Sequence, residues 1–252
     1  MSLVTVDRDD NIVTITLRNP PLNILTCSAM EDLAAALRES RPDDRVVVLR
    51  GAGKHFCAGA DIAEHLPEKG PAMLETLWLL FGTLQDVPVP TVAVVRGTCM
   101  GAGLELAAAC DFMIAAEDAR LGVPEITLGV VAPVAAVDLP RKIGETRAAE
   151  MLFLGKPVSG RLAGEWGLAT EVAMDADLDA RAVIMAAKLA ALSGAALRST
   201  KRCIRAAAAR PIRADALAAA LCVYREEVLP SEDGLEGLKA FMEKRRAVWR
   251  DR

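Results

Sequence analysis

Hydrophobic and polar positions alternate along the first 50 residues in a pattern that predicts a β-hairpin followed by a βα unit. Strands are predicted at residues 3–6, 12–17 and 46–50, and a helix at residues 29–39. Polar residues 9–11 form the hairpin turn, and Pro20 and Pro21 separate the hairpin from the helix. The last of these strands is apolar up to Arg50 at its end, which is typical of a strand buried on both faces.

The same alternation of strands and helices continues and predicts an α/β fold. An apolar strand at residues 91–95 precedes a glycine-rich turn at 97–103, a helix and a further strand at 112–115. Between these units lies a helix that is apolar almost all round and ends before Pro88. Such a helix is expected to be buried or to line a pocket.

From about residue 178 the strand signals stop, and the pattern predicts helices only. These helices are placed at residues 178–192, 196–208, 213–228 and 235–249. We therefore divide the chain into a core at residues 1–195 and a helical C-terminal region at residues 196–252. The third helix carries one apolar face, a pattern more often found in a core or a subunit interface than in a cofactor site. That face consists of Leu217, Ala220, Leu221, Tyr224 and Val228.

The composition of the chain argues against several classes of binding partner, namely nucleic acids, membranes and zinc. With 34 acidic and 30 basic residues and a pI near 5.4, the chain has no basic field to attract nucleic acid. The N-terminus opens on a strand pattern, and no apolar run approaches membrane-spanning length, so we expect no leader and no membrane association. Six cysteines without paired short spacing and two histidines argue against a zinc site and predict a reducing, cytoplasmic setting.

Two glutamates, Glu105 and Glu125, are the strongest candidates for chemistry. Each follows a glycine-marked turn in apolar surroundings. Burial favours the protonated form of a carboxyl and raises its pKa, and two carboxyls in different environments can serve as acid and base near neutral pH. Acid/base chemistry on a carbonyl compound is one interpretation. The other is structural, with each carboxylate paired to an arginine or capping a helix.

The small-residue turns do not match nucleotide-binding loops. Around Lys54 the glycines are too closely spaced and no Ser or Thr follows, and the turn at residues 101–103 has Leu106 where a dinucleotide fingerprint has its third glycine. Small residues do permit close backbone approach. The amides of Ala60 and Ala102, the latter near a helix start, can therefore point at one oxygen.

Five short motifs occur in order along the chain. They are Pro21-Leu22-Asn23, Cys57-Ala58-Gly59-Ala60-Asp61, the stretch from Arg96-Gly97 to Cys110-Asp111, Gly122-Val123-Pro124-Glu125, and Phe241-Met242-Glu243-Lys244-Arg245. Together they resemble the enoyl-CoA hydratase/isomerase, or crotonase, superfamily over nearly the whole length. The resemblance implies a spiral of ββα units with a C-terminal helical trimerisation region, and hence a homotrimer or a dimer of trimers. It also implies an acyl-CoA substrate.

The resemblance assigns roles to individual residues. It places an oxyanion hole at the amides of Ala60 and Ala102, the general acid/base at Glu125 and the residue that orients the water at Glu105. Members that isomerise double bonds or cleave other bonds commonly lack one of the two glutamates, so the presence of both favours hydration. No metal or cofactor is implied, because coenzyme A is part of the substrate. The residues implied to bind the CoA ester are Leu22, Ala58, Ala60, Asp61, Ile62, Phe241 and Lys244.

The segment after Gly129 departs from the fatty-acid hydratases, which usually have a glycine-rich loop there. Residues 130–136 instead contain branched valines, alanines and a proline, and the valines and the proline stiffen the wall beside Glu125. This segment and residues 63–67 look more like the cyclohexadienecarbonyl-CoA hydratases, although a linear-chain enzyme with different packing would fit as well. The acyl pocket is predicted to be formed by Trp78, Phe81, Val131, Ala132, Pro133 and Val134.

Two alternatives stay open. The first is an isomerase or hydrolase of the same fold that acts on a CoA thioester. The second is a non-catalytic acyl-CoA-binding subunit, which would bind CoA esters without turnover. Structural roles are favoured for Asp61, as a cap or an ion-pair partner, and for His55 and His65.

Overall fold

The computed structural model describes residues 2–192, 194–208, 225–226, 229–230 and 232–248. The strands are β1 (Val4–Asp9), β2 (Ile12–Leu17), β3 (Val46–Gly51), β4 (Thr91–Val95), β5 (Thr98–Met100), β6 (Phe112–Ala116), β7 (Arg120–Gly122), β8 (Val158–Ser159) and β9 (Glu171–Ala173). The helices are α1 (Cys27–Arg38), α2 (Gly70–Asp86), α3 (Ala102–Ala109), α4 (Pro133–Ile143), α5 (Glu145–Leu154), α6 (Gly160–Glu165), α7 (Leu178–Ala190), α8 (Gly194–Ala208) and α9 (Glu232–Met242). Short 3₁₀ turns lie at Ile62–His65, Pro124–Leu128 and Asp175–Asp177.

The larger sheet has the strand order β1-β2-β3-β4-β6-β9. Only the β1–β2 hairpin is antiparallel, and the other neighbours in this sheet pair in parallel. All five residues of β4 are buried, as expected for a parallel sheet covered on both faces. The predicted α/β fold is confirmed.

A smaller sheet in the order β5-β7-β8 lies beside the larger one. Its first strand falls inside the stretch that the sequence predicted as a turn at residues 97–103. β5 has only three residues, and it pairs in parallel with β7, which lies about twenty residues further along the chain. A strand this short leaves no local periodicity to detect.

The helix predicted at residues 235–249 starts earlier and ends earlier than expected, because α9 ends at Met242. Lys244 has a left-handed φ of 54°, its N–H bonds to Phe241 O, and the N–H of Arg245 bonds to Ala240 O. This is the hydrogen-bond pattern of a Schellman motif, with lysine in place of the usual glycine. The Arg245 guanidinium then pairs with both carboxylate oxygens of Glu236, at 2.6 and 2.7 Å, and folds the chain back on α9.

In the C-terminal region, α8 is fastened to the core. The buried Lys201 Nζ lies 2.5 Å from Asp111 Oδ2 and donates to Val89 O at 2.6 Å. The helix predicted at residues 213–228 lies almost wholly outside the described residues. Its predicted interface residues Leu217, Ala220, Leu221, Tyr224 and Val228 all fall there. None of the helices that the structure describes is long and apolar enough to cross a membrane.

Candidate active site

The two sequence-predicted glutamates come together because β5 and β7 are parallel neighbours. Met100, the last residue of β5, lies opposite Gly122, the last residue of β7, and the Gly101 N–H donates to Gly122 O at 2.9 Å. The turns that follow the two strands therefore leave the same sheet edge. One leads into α3, which carries Glu105, and the other into the 3₁₀ turn that carries Glu125.

A third segment joins this edge through backbone pairing. Cys57 forms a parallel bridge with Cys99 of β5, and the Met100 N–H donates to Cys57 O at 3.0 Å. This pairing places the small residues Ala58 and Ala60 beside the start of α3. Two of the sequence motifs thus meet at one end of the smaller sheet.

Gly101 gives the Glu125 carboxylate its space. A Cβ atom at this position would lie 2.5 Å from Glu125 Oε1, and Gly101 has a left-handed φ of 51°. Any other residue would be strained in this conformation and would collide with the carboxylate. The turn before α3 therefore requires glycine for two independent reasons.

Glu105 is buried, with 3% of its surface exposed. Its Oε1 accepts a hydrogen bond of 2.8 Å from the N–H of Ala135, in the first turn of α4. Burial, and after it the nearby Glu125, raise the pKa of Glu105 to about 8. Hydrogen bonds from Ala135 and Val134 oppose these effects by stabilising the charged form.

Glu125 has a different environment. Its Oε2 is buried and has no hydrogen-bond partner within the described part of the chain. Burial raises the pKa of Glu125 to about 7. Because two close carboxylates resist ionising together, the pair retains a proton near neutral pH, and its two titration steps belong to the pair.

The Ala60 and Ala102 amides border the same cavity as both carboxylates. Ala102 is the first residue of α3, so its N–H has no acceptor within the helix. Within the part of the chain that the structure describes, neither amide donates a hydrogen bond. Two free donors beside two carboxyls form a site that can stabilise negative charge on an oxygen while a proton is moved.

The cavity has a volume of about 70 Å³, enough to hold water, and its other walls are mostly aliphatic, with His65 as a further polar side chain. Helix α2 contributes Met73, Leu74 and Leu77, and the segment after the Pro124–Leu128 turn contributes Val130, Val131 and Pro133. Further lining comes from Leu128 and from Leu238 of α9. The polar groups therefore lie in a small apolar pocket.

The predicted CoA-binding residues fall into two groups. Ala58, Ala60 and Ile62 line the cavity. Asp61 caps the Ile62–His65 turn by accepting from the Ala63 N–H at 2.7 Å, the structural role expected of it. The other members lie outside the cavity lining: Leu22 and Phe241 are partly exposed and Lys244 is exposed at the end of α9.

The predicted acyl-pocket residues also divide. Val131 and Pro133 line the cavity, and Ala132 and Val134 are buried beside it without lining it. Trp78 is 41% exposed and Phe81 is buried in the core, so neither borders the cavity. Helix α2 does line the cavity, as its apolar pattern suggested, but through Met73, Leu74 and Leu77, which lie nearer its start than Trp78 and Phe81.

The two histidines have structural contacts. His55 Nδ1 accepts from the Thr98 N–H at 3.0 Å, which ties the Cys57 segment to β5. His65 lines the cavity, and its Nδ1 lies 2.7 Å from Asp61 O. Burial lowers the pKa of His65, so its ring is neutral at physiological pH. The sequence did not predict His65, Leu128 and Leu238 as cavity-lining residues, because no local pattern shows which distant residues pack around the cavity.

Comparison with known proteins identifies the family. The model of the enoyl-CoA hydratase/isomerase family matches residues 7–252. The chain belongs to this family. It is 37% identical to the cyclohexa-1,5-dienecarbonyl-CoA hydratase of Thauera aromatica, over 99% of this chain and 96% of that protein. It is 33% identical to the 2,3-dehydroadipyl-CoA hydratase of Escherichia coli K12, over 97% of each chain.

A solved structure supports the same conclusion. The crystal structure of an enoyl-CoA hydratase/isomerase from Xanthobacter autotrophicus Py2 matches with a TM-score of 0.88 and 29% identity, over 96% of this chain and 93% of that one. The family and the crotonase fold expected from the sequence motifs are confirmed.

Proposed function

We propose that this protein is an enoyl-CoA hydratase, a hydro-lyase that adds water to, or removes it from, an α,β-unsaturated acyl-CoA thioester. The observation that carries the proposal is the meeting of Glu105, Glu125 and the amides of Ala60 and Ala102 in one apolar pocket. Relatives that carry hydratase names match nearly the full length of the chain.

In the proposed mechanism the thioester carbonyl oxygen accepts hydrogen bonds from the Ala60 and Ala102 amides. These donors stabilise the enolate that forms when electrons of the double bond move toward the carbonyl. One such donor is typically worth about 10² to 10³ in rate. Ala102 also lies at the positive end of α3, which adds to the stabilisation.

In this mechanism a water molecule binds between the two carboxyls. Glu125, whose buried Oε2 has no hydrogen-bond partner within the described residues, acts as the base and removes a proton from the water as the oxygen bonds to the β-carbon. The proton held by Glu125 then passes to the α-carbon, so that one water has been added across the double bond. Glu105, held by the Ala135 N–H, orients the water. Positioned acid/base catalysis typically contributes about 10² to 10⁴ in rate.

This chemistry requires no redox change, and we propose that coenzyme A enters only as part of the substrate. Within the described residues, no three side chains of the types that bind metals are grouped together. A reducing, cytoplasmic setting also remains a proposal, and the free thiols of Cys27, Cys57, Cys99 and Cys110 are compatible with it.

We further propose a compact acyl moiety, of which a cyclic dienoyl group is one candidate. The aliphatic wall formed by Val130, Val131 and Pro133 and the likeness to the Thauera aromatica hydratase support this choice. A panel of linear and alicyclic enoyl-CoA esters tests it, with loss of the conjugated-thioester absorbance as the signal. If Val131→Gly leaves the ratio of rates on cyclic and linear esters unchanged, the wall does not select acyl shape.

The same panel separates the competing functions. A hydratase yields a product that is heavier than the substrate by one water, whereas an isomerase yields a product of equal mass and a hydrolase releases free CoA. A non-catalytic binding subunit would bind the esters in calorimetry and give no product. Any of the three results other than hydration would overturn the proposal.

For the CoA handle we propose contacts with Leu22, Phe241 and Lys244, in addition to the segment 58–62. The exposed Lys244 ammonium suits a phosphate, and Phe241 presents an exposed ring on the same end of α9. Lys244→Ala should raise KM for the CoA ester several-fold and leave kcat nearly unchanged. An unchanged KM would remove Lys244 from the site.

The assembly proposed is a homotrimer or a dimer of trimers. Ile126, Phe153 and Leu154 are exposed apolar side chains, and the chain turn at Gly155 brings the end of α5 against Ile126. Exposed apolar clusters of this kind mark interaction surfaces. Sedimentation velocity at micromolar concentration tests the proposal, and a monomer would contradict it.

A further inference from the structure

Helix α9 lies directly against the turn that carries Glu125. A Cβ atom at Gly237 would lie 1.7 Å from Leu128 O, so the two backbones are in contact at this point. The helix also packs against the Ile62–His65 turn. Helix α9 therefore covers two turns that border the candidate active site, Ile62–His65 and Pro124–Leu128.

Contacts before and within α9 hold this cover in place. Leu229, which precedes α9, packs on Gly70 at the start of α2, where an added Cβ would lie 2.8 Å from Leu229 Cδ2. Within the helix, the backbone contact of Gly237 with Leu128 holds α9 beside the Pro124–Leu128 turn. The ion pair between Arg245 and Glu236 folds the chain that follows back on the helix itself.

Leu238, the next residue after Gly237, brings a buried side chain from α9 to the cavity. It is 2% exposed and lines the cavity together with Glu105 and Glu125. Because the helix backbone is fixed beside it, the size of the side chain at position 238 determines the space available above the carboxylates. The Leu238 side chain therefore forms part of the wall of the cavity that contains the two carboxyls.

We infer that Leu238 is a specificity-determining residue that sets the upper size limit of the acyl group. The inference rests on the proposed hydratase function and names the substrates that the site accepts, namely enoyl-CoA esters with a short or compact acyl group. Longer linear chains are excluded by contact with the Leu238 side chain. Shortening this side chain should admit them without altering the catalytic groups.

The test compares but-2-enoyl-CoA with dec-2-enoyl-CoA as substrates for the wild type, Leu238→Val and Leu238→Ala. The ratio of kcat/KM for the long ester to that for the short ester should rise in that order, by about tenfold or more for alanine, within the range reported for one methylene in an apolar pocket. Leu235→Ala is the matched control, because Leu235 lies on α9 and does not line the cavity. Its ratio should equal that of the wild type.

The inference is overturned if folded Leu238→Val and Leu238→Ala keep the wild-type ratio, or if Leu235→Ala shifts it equally. Leu238→Val guards against loss of folding, because it removes less volume from a buried site. If the wild type hydrates neither these esters nor any member of the linear and alicyclic panel, the proposed function fails and the size limit is read from binding instead. Calorimetry with butanoyl-CoA and decanoyl-CoA on the same variants should then give the same order of affinity ratios, and equal ratios would refute the role of Leu238.

Discussion

Replacing Glu125 by glutamine should stabilise the protein at alkaline pH while it strongly reduces the rate of hydration. In the fold the buried Glu125 carboxyl has a pKa raised to about 7 from an ordinary value of 4.5. A carboxyl with a raised pKa contributes stability that is fully present below pH 4.5 and is lost as the pH rises through the folded pKa. Glutamine keeps the shape of the side chain and carries no charge at any pH, so the variant escapes this loss.

The size of the effect follows from the shift. One pKa unit corresponds to about 1.4 kcal/mol, so ionising the buried Glu125 costs on the order of 3 kcal/mol of folding free energy. For a chain of this length, 1 kcal/mol moves the melting temperature by roughly 2 to 4 °C. The variant should therefore melt about 6 to 12 °C above the wild type at about pH 9, and the difference should shrink to about 1 to 4 °C near pH 5.

Scanning fluorimetry at fixed protein concentration and ionic strength, from about pH 5 to about pH 9, measures this difference. Glu75→Gln, at an exposed position on α2, is the matched control because it removes the same charge without relieving burial. Hydration by Glu125→Gln should fall by about 10² or more, with the affinity for the CoA ester within a few-fold. A stability difference that does not grow with pH, or a control that behaves like the variant, would refute the reasoning.

Glu105→Gln should also reduce turnover by about 10² or more, and the double variant with Glu125→Gln should be little worse than the poorer single one if the carboxyls share one water. Losses that multiply in steady-state kinetics would argue for separate roles. Gly101→Ala should lower kcat by about 10² with unchanged circular dichroism, because its methyl displaces the Glu125 carboxylate; near-normal kcat would contradict that contact. Lys201→Ala should lower the free energy of unfolding by about 2 kcal/mol in urea titration by unpairing the partly exposed Asp111, and should leave kcat/KM unchanged. A large loss of activity in the folded variant would show that α8 does more than pack.

The meeting of the two glutamates could be anticipated from the sequence for a physical reason. Each glutamate follows a glycine-marked turn in apolar surroundings, although the parallel strands β5 and β7 that bring the two together are too short for the sequence pattern to show. The apolar surroundings also predicted the direction in which burial moves both pKa values. The family and the fold could be predicted because the sequence motifs that indicate them are spread over nearly the whole chain.

Features that depend on distant contacts left no local signal. The left-handed Lys244 that ends α9 occupies a position where glycine is usual, so the sequence pattern predicted a longer helix. Leu238 resembles any other apolar residue on an amphipathic helix until the fold shows which cavity it reaches. Trp78 was wrongly expected to line the acyl pocket, because an apolar pattern on all sides of α2 does not show which face of the helix turns toward the cavity.

The placement of α9 divides the site between two parts of the chain that are distant in sequence. The carboxyls and free amides lie between Ala60 and Glu125, whereas Leu238 arrives from a helix near the other end of the chain and meets them through a glycine contact. Mutations that alter substrate range can therefore accumulate in the covering helix while the reacting groups stay untouched. An exchange of α9 between relatives is a route by which one catalytic scaffold acquires new acyl preferences.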